Sequence, residues 1–365
     1  MDDEYRGRRR LIRRFSGKLS TAFILAIPRI YSSVIRCRTM LSTVRRIIKI
    51  GERSVGITIP KEWLPVLGLN IGSNVEVSLG PGFITVKPLN VMQPKALLTV
   101  KLRAKDIATM SRMIIAGYIE GFDSLIVEGD RGSARKAFYN VAMRLPGAIA
   151  MNGKQFTIKI SVDELNTSVD EVIASMKTTV ETMFELLMEY FSSSDPSNLE
   201  QLLKLDDDLD RLHFLGIRTI KRTAFRSPQD ALDKMLVIKS LEHIGDCLDR
   251  VSSTLLRIQS KISGECKAVF REVFAQVSSY VSKAINSYIE GNIDMAIRIL
   301  MERENMSQRI FSSTSKCMQA PESMALAHEA TVSIYEAAEI AEVATAKLVR
   351  YSEEKSISPS QEGKS

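Results

Sequence analysis

The chain of 365 residues is short of the side chains that build the commonest metal and redox sites. Its four cysteines are Cys37, Cys247, Cys266 and Cys317, with no C-x-x-C pair and no zinc-ligand spacing among them. Thiols so scattered read as isolated and as the mark of a reducing, cytoplasmic setting. With only His213, His243 and His328, a histidine-built zinc site is not expected. The Glu-x-x-His pairs of di-iron bundles do not occur. Neither does the G-x-x-x-x-G-K-[ST] phosphate loop, and Gly129–Asp130–Arg131–Gly132 reads as a plain turn before a helix. No spacing sets a nucleophile beside a base, so no enzyme is expected. No apolar run is long enough to span a bilayer: Leu19–Ile27 is stopped by Pro28, and no small-residue cleavage site follows.

Charge is present but unevenly spread. Residues 1–42 hold ten of the 50 Lys and Arg and three of the 43 Asp and Glu, so the whole net charge of +7 lies there. The basicity describes a tail and gives no argument for nucleic acid as a partner. Residues 1–42 read as a basic extension, disordered or not translated, with Met40 as an alternative start. A membrane-surface segment is the other reading, without stable membrane insertion.

Residues 43–89 read as a small β-rich domain. Val44–Ile50 and Ser54–Ile59 alternate around Gly51–Glu52–Arg53, and Pro60 opens a short helix, Lys61–Leu67, ended by Gly68. Asn74–Leu79 and Phe83–Lys87 form a second hairpin across Gly80–Pro81–Gly82. So short a piece cannot fill a core alone and is expected to pair with a second copy. Residues 95–166 alternate strands (Ala96–Leu102, Ser124–Val127, Phe156–Ile160) with helices (Ala104–Glu120, Ser133–Leu145), a small α/β layer.

From 167 to 352 the chain reads as six helices, 168–191, 197–225, 228–258, 264–290, 292–313 and 321–351, with a polar, disordered tail at 353–365. They fall into two repeats, 167–261 and 262–352. A shift of 93 residues puts Pro228 on Pro321, Leu241 on Ile334, Leu248 on Ala341 and Leu255 on Leu348. The fold class is therefore multidomain α+β, ending in tandem three-helix bundles.

One helix carries the chemistry. Leu241, Ile244, Leu248, Val251 and Leu255 make its core stripe, and Glu242, Asp246 and Asp249 gather on another face, expected to point outward. Asp206 and Asp210, one turn apart on the preceding helix, can join them. The 93-residue shift carries Asp246 and Asp249 onto Glu339 and Glu342 but puts Tyr335 in place of Glu242. Such acids are hard ligands for iron, manganese, magnesium or calcium. They are equally a solvated face, with Lys239 and Arg250 at salt-bridge spacing from Glu242 and Asp246. His213 and His243 read as ordinary helix residues.

Leu241–Glu242–His243–Ile244–Gly245–Asp246 resembles the E-R-I-G-D signature of PhoU-type phosphate uptake regulators, with His243 in the Arg position. Ile340–Ala341–Glu342 and Leu209–Asp210–Arg211–Leu212 are similar to further runs of that family. Residues 45–88, with Ile59–Pro60–Lys61–Glu62–Trp63, Leu67–Gly68–Leu69 and Val75–Glu76–Val77, resemble the AbrB/SpoVT/MazE swapped-hairpin domains, with Ser73 in place of an Asp. Together the chain resembles archaeal PhoU-related regulators that join the two. The resemblance implies acidic motifs holding metal clusters on the bundle and control of phosphate uptake through an ABC transporter and a sensor kinase. It also implies a homodimer through the swapped hairpins. There Arg45, Arg46, Lys49, Arg53 and Lys61 would form a DNA-facing surface. A DNA-binding transcriptional regulator with a PhoU-like sensor is the alternative function.

Overall fold

The computed structural model describes residues 42–80, 83–89, 98–153, 155–224, 227–258 and 262–357. The extension read at 1–42 lies outside these but for its last residue, as do Pro81 and Gly82 of the second hairpin turn and the tail from 358 on. The chain divides into two units, residues 1–100 and 101–365.

In the first unit β1 (Ile48–Lys49) pairs antiparallel with β2 (Val55–Gly56), a shorter hairpin than the alternation suggested. The expected helix at 61–67 is instead two 3-10 turns, Lys61–Trp63 and Pro65–Leu67. Pro65 stands in the middle of the span and has no N–H to carry one continuous helix. Gly68, at φ 65, closes the second turn in the left-handed region. β3 (Val75–Gly80) and β4 (Phe83–Pro88) pair antiparallel, with Val77 opposite Val86. Among this unit's described residues Pro60 and Leu69 are buried, while Ile57, Val77, Leu79 and Ile84 are all exposed.

At the start of the second unit is a four-stranded sheet in the order β5-β6-β8-β7. Its strands are β5 (Thr99–Arg103), β6 (Ser124–Glu128), β7 (Ala148–Asn152) and β8 (Phe156–Ile160). β8 runs antiparallel to both neighbours. β7 was not read from the sequence. Helices α1 (Ile107–Ile119) and α2 (Arg131–Tyr139) start at Asp106 and Asp130, whose side chains accept from Thr109 N and Ser133 N. The Gly129–Gly132 stretch is thus the cap and first turn of α2. A 3-10 turn, Ala142–Arg144, follows.

The remainder is helical: α3 (Val169–Ser193), α4 (Pro196–Thr223), α5 (Pro228–Ile258), α6 (Gly264–Glu290), α7 (Ile293–Thr314) and α8 (Pro321–Ile357). α8 runs past the expected boundary at 352. One continuous apolar cluster, from Val169 to Ala344, fills both repeats. The third helices of the two repeats cross it side by side. Asp233 meets Arg350, His243 meets Glu336 and Arg250 meets Glu329, so α5 and α8 are antiparallel. His243 and Glu336 are 93 residues apart, the repeat's own shift, which places that pair at the repeat's local twofold.

Two long-range features lie beyond what the sequence shows. Cys266 and Cys317 form a disulfide, so these thiols are not isolated. Their 51-residue separation gives no hint that the first turn of α6 and the 3-10 turn after α7, Ser315–Cys317, meet. Second, Arg218 of α4 is fully buried. It donates to Glu164 Oε1 at 2.7 Å and to the carbonyls of Tyr118 and Phe122 at 2.8 and 2.9 Å, with Asp123 3.4 Å away. This guanidinium ties the α/β layer to the bundle.

Candidate metal centre

The centre is made where α4 and α5 run antiparallel in close contact. Gly245 allows that approach. A Cβ there would come within 2.1 Å of Leu209 Cδ2, on a buried side chain, and 3.8 Å from Asp206 Oδ1. Gly216 on α4 accepts Ile238 of α5 in the same way. With the helices this close, Asp206, Asp210 and His213 of α4 face Glu242, Asp246 and Asp249 of α5.

Three of these converge most tightly. Asp210, His213 and Glu242 each offer a ligand atom, and these atoms lie within 4.8 Å of one another. His213 Nδ1 is 3.2 Å from Glu242 Oε1, an ion-pair distance, but it is a buried nitrogen with no properly angled hydrogen-bond partner. The angle decides here, because a nitrogen so placed is under-satisfied whatever its distance. The acids are half-buried on the flank of α5, not on its outer face as expected.

Their electrostatics follow from that burial. Asp206 is pushed up to about 7, first by burial, then by Asp249, Asp210 and Asp246, with Arg144 opposing. Burial also raises Asp210, against Arg144, and raises Asp249, helped by Asp246. Burial acts to raise Glu242 too, but His213 and Lys239 outweigh it and hold the carboxyl below its usual range. The two expected local pairs form: Lys239 to Glu242 at 3.0 Å and Arg250 to Asp246 at 3.4 Å. The ion pairs with Lys239 and Arg250 thus form at the same acids whose burial and mutual repulsion set their charge.

A cation fits this set chemically. Mutually repelling, partly desolvated carboxylates gain from a positive ion, and the unsatisfied imidazole nitrogen supplies a donor. Oxygen ligands with one imidazole suit iron or manganese better than an all-oxygen preference for magnesium or calcium. From the sequence His213 reads as an ordinary helix residue, since Glu-x-x-His does not occur around it. The signal was Asp210–Arg211–Leu212–His213, the same i, i+3 spacing with Asp.

The second repeat differs. Asp210 is matched by Arg303, His213 by Met306 and Glu242 by Tyr335. The Arg303 guanidinium sits 5.4 Å over the Tyr335 ring and 3.6 Å from Glu342. Glu339 is raised by burial, Glu342 and Glu336. These residues lack the donor set of the first repeat, since the counterparts of Asp210, His213 and Glu242 are Arg303, Met306 and Tyr335, and the Arg303 guanidinium lies beside Glu342.

In the first unit Arg45, Arg46, Lys49, Arg53 and Lys61 are all exposed. Lys49 lies on β1 opposite Val55, Arg53 in the turn beyond it and Lys61 at the first 3-10 turn.

No curated protein and no solved structure matches the chain significantly. Two family models do, over different stretches. Residues 48–93 match the model for antidote-toxin recognition MazE, bacterial antitoxin. Residues 173–255, which hold α4, most of α5 and every residue of the acid–histidine cluster, match a PhoU domain, so the chain carries a PhoU domain behind a MazE-type antitoxin domain.

Proposed function

We propose that the protein regulates phosphate uptake, as a metal-binding adaptor on a phosphate ABC transporter or its sensor kinase. The observation that carries this is the coincidence of the PhoU match at 173–255 with the Asp210, His213 and Glu242 cluster. A metal ion there, iron or manganese by its donor set, would be held by those three with Asp206, Asp246 and Asp249 around it. The ion would supply fixed positive charge that locks α4 to α5 and shapes the docking face. The residues' own part is to position the helices and exclude water from one side. The test is phosphate uptake in cells with the chain deleted, complemented by wild type or by Asp210→Asn/Glu242→Gln. Uptake that stays under control in the deletion strain would remove the reading.

Dimerisation through residues 44–88 is part of the proposal. A unit with so little buried apolar surface is supported as half of a shared core. The second reading, a DNA-binding regulator, is favoured by the exposed Arg45, Arg46, Lys49, Arg53 and Lys61 on that unit. It is tested by gel shift with salt titration, where each phosphate neutralised adds about −0.9 to the log–log slope. Affinity no higher than for random DNA would discard it.

A further inference from the structure

Among the described residues the acid–histidine cluster has three Lys or Arg neighbours, besides His243 at Glu242, and they are not equivalent. Lys239 and Arg250 lie on α5 itself and travel with the acids. Arg144 comes from elsewhere, the 3-10 turn of the α/β layer. Its Nη1 is 3.1 Å from Asp210 Oδ2 and its Nε 3.3 Å from Asp207 Oδ1. Its charge also reaches Asp206 and Asp249, which it pulls downward against burial. One guanidinium therefore faces the α4 side of the cluster and uses an oxygen of Asp210, one of the three converging ligands.

The second repeat shows what a guanidinium does at such a face. Arg303 stands at the position matching Asp210 and contacts Glu342, the match of Asp249. That face is satisfied by a cation built into the bundle. The first repeat meets its acids with the same group, but on a separate layer and on a side chain 44% exposed. Here the cation can leave without disturbing a bundle helix. The layer itself stays anchored through buried Arg218, Glu164 and Asp123.

We infer that Arg144 is an internal competitor for the metal: it and the metal ion exclude one another at Asp210, so metal binding frees the 142–144 turn. This rests on the metal-centre reading and adds a regulatory step to it. Arg144 already holds Oδ2 of Asp210, so a divalent ion drawn to that carboxylate must stand close to the guanidinium, and the two like charges oppose one another. Binding of metal thereby changes the surface that the α/β layer presents beside α4, and any partner that held Arg144 away would tighten metal binding by the same factor.

The test is calorimetric titration of the metal-stripped full chain with Mn2+, for wild type, Arg144→Gln and His213→Ala. Hydrogen exchange of residues 140–146 is followed with and without Mn2+. Arg144→Gln should bind Mn2+ about tenfold more tightly, and exchange in 140–146 should rise on metal in wild type while the Arg218 region holds steady. Arg144→Lys, which keeps the charge but loses the forked contact, should fall between and covers the case of a misfolded Gln variant. Mn2+ binding in wild type with an unchanged or weaker Arg144→Gln, or with unaltered exchange at 140–146, overturns the competition and leaves the metal centre standing. No Mn2+ binding by wild type or Arg144→Gln, or undiminished binding by His213→Ala, overturns the centre itself and the competition with it.

Discussion

At the scale of single residues, the centre depends on what Gly245 lacks as much as on what its neighbours carry. Gly245→Ala gains about 1 kcal/mol of helix propensity. It also drives a methyl against Leu209 Cδ2, so this buried side chain must shift to make room. Overpacking of this kind costs about 1–3 kcal/mol. The net expectation is a loss of about 1 kcal/mol in urea denaturation, together with weaker Mn2+ binding as α4 and α5 part. Asp206 gives a pH signature. Its folded pKa of about 7 lies above its ordinary 3.8, so the folded protein holds the proton more tightly than the unfolded chain. In chelator, stability therefore falls as pH rises from about 4 to about 7 and is level beyond. Asp210 and Asp249, raised in the same sense, add to the slope. Urea midpoints at several pH values should show this fall, and Asp206→Asn should flatten it.

At the scale of elements, most helix ends are local chemistry and were legible. Pro228, Ser263–Gly264, Gly291 and Pro321 mark breaks that the structure keeps, and the six helices match their expected bounds within a few residues up to α8's longer end. Asn292 accepts from Met295 N at 3.0 Å directly after Gly291 closes α6. Asn292→Ala should lower stability by about 1 kcal/mol, read as a thermal shift against wild type. The α5 half of the site was legible because three acids recur at four and three. What sequence periodicity could not supply was the second partner of each contact. It put the acids opposite the core stripe, whereas the close α4 packing at Gly245 half-buries them on the flank. It missed His213 because a D-x-x-H spacing means nothing until another helix brings Glu242 to it. Arg144, the Cys266–Cys317 pair and β7 were hidden for the same reason: each is defined by a neighbour distant in the chain. Arg218 is the plainest case. Within Leu215–Lys221 it looks like a surface charge, yet it is buried among Glu164, Asp123 and two carbonyls. Arg218→Ala removes the guanidinium shared by buried Glu164 and Asp123, leaving Asp123 with Arg222, and should cost about 3 kcal/mol. Chemical denaturation measures it, with proteolysis expected to cut first in the α/β layer.

At the scale of the molecule, the two units face opposite physical problems. The helical repeats share one continuous apolar cluster and satisfy themselves across the α5–α8 seam. The first unit leaves Ile57 57% exposed, Val77 63% and Leu79 86%, with Leu69 buried near them in sequence. Side chains of this kind left in water each forgo about 1.5–3 kcal/mol of burial, more than a unit of this length can spare. The chain should therefore be a dimer by light scattering, and the contact should lie in these strands. Ile57→Asp with Val77→Asp distinguishes this from dimerisation through the bundle. In a monomer the two changes touch exposed positions and cost little. In a shared core they bury two unpaired carboxylates and should split the dimer, with the circular dichroism of the helical repeats unchanged. A double variant that remains dimeric at micromolar concentration would move the interface elsewhere. If the same variant also loses DNA retardation, the basic residues of this unit act only as a pair of copies, because each copy alone offers too few phosphate contacts to hold a duplex at physiological salt.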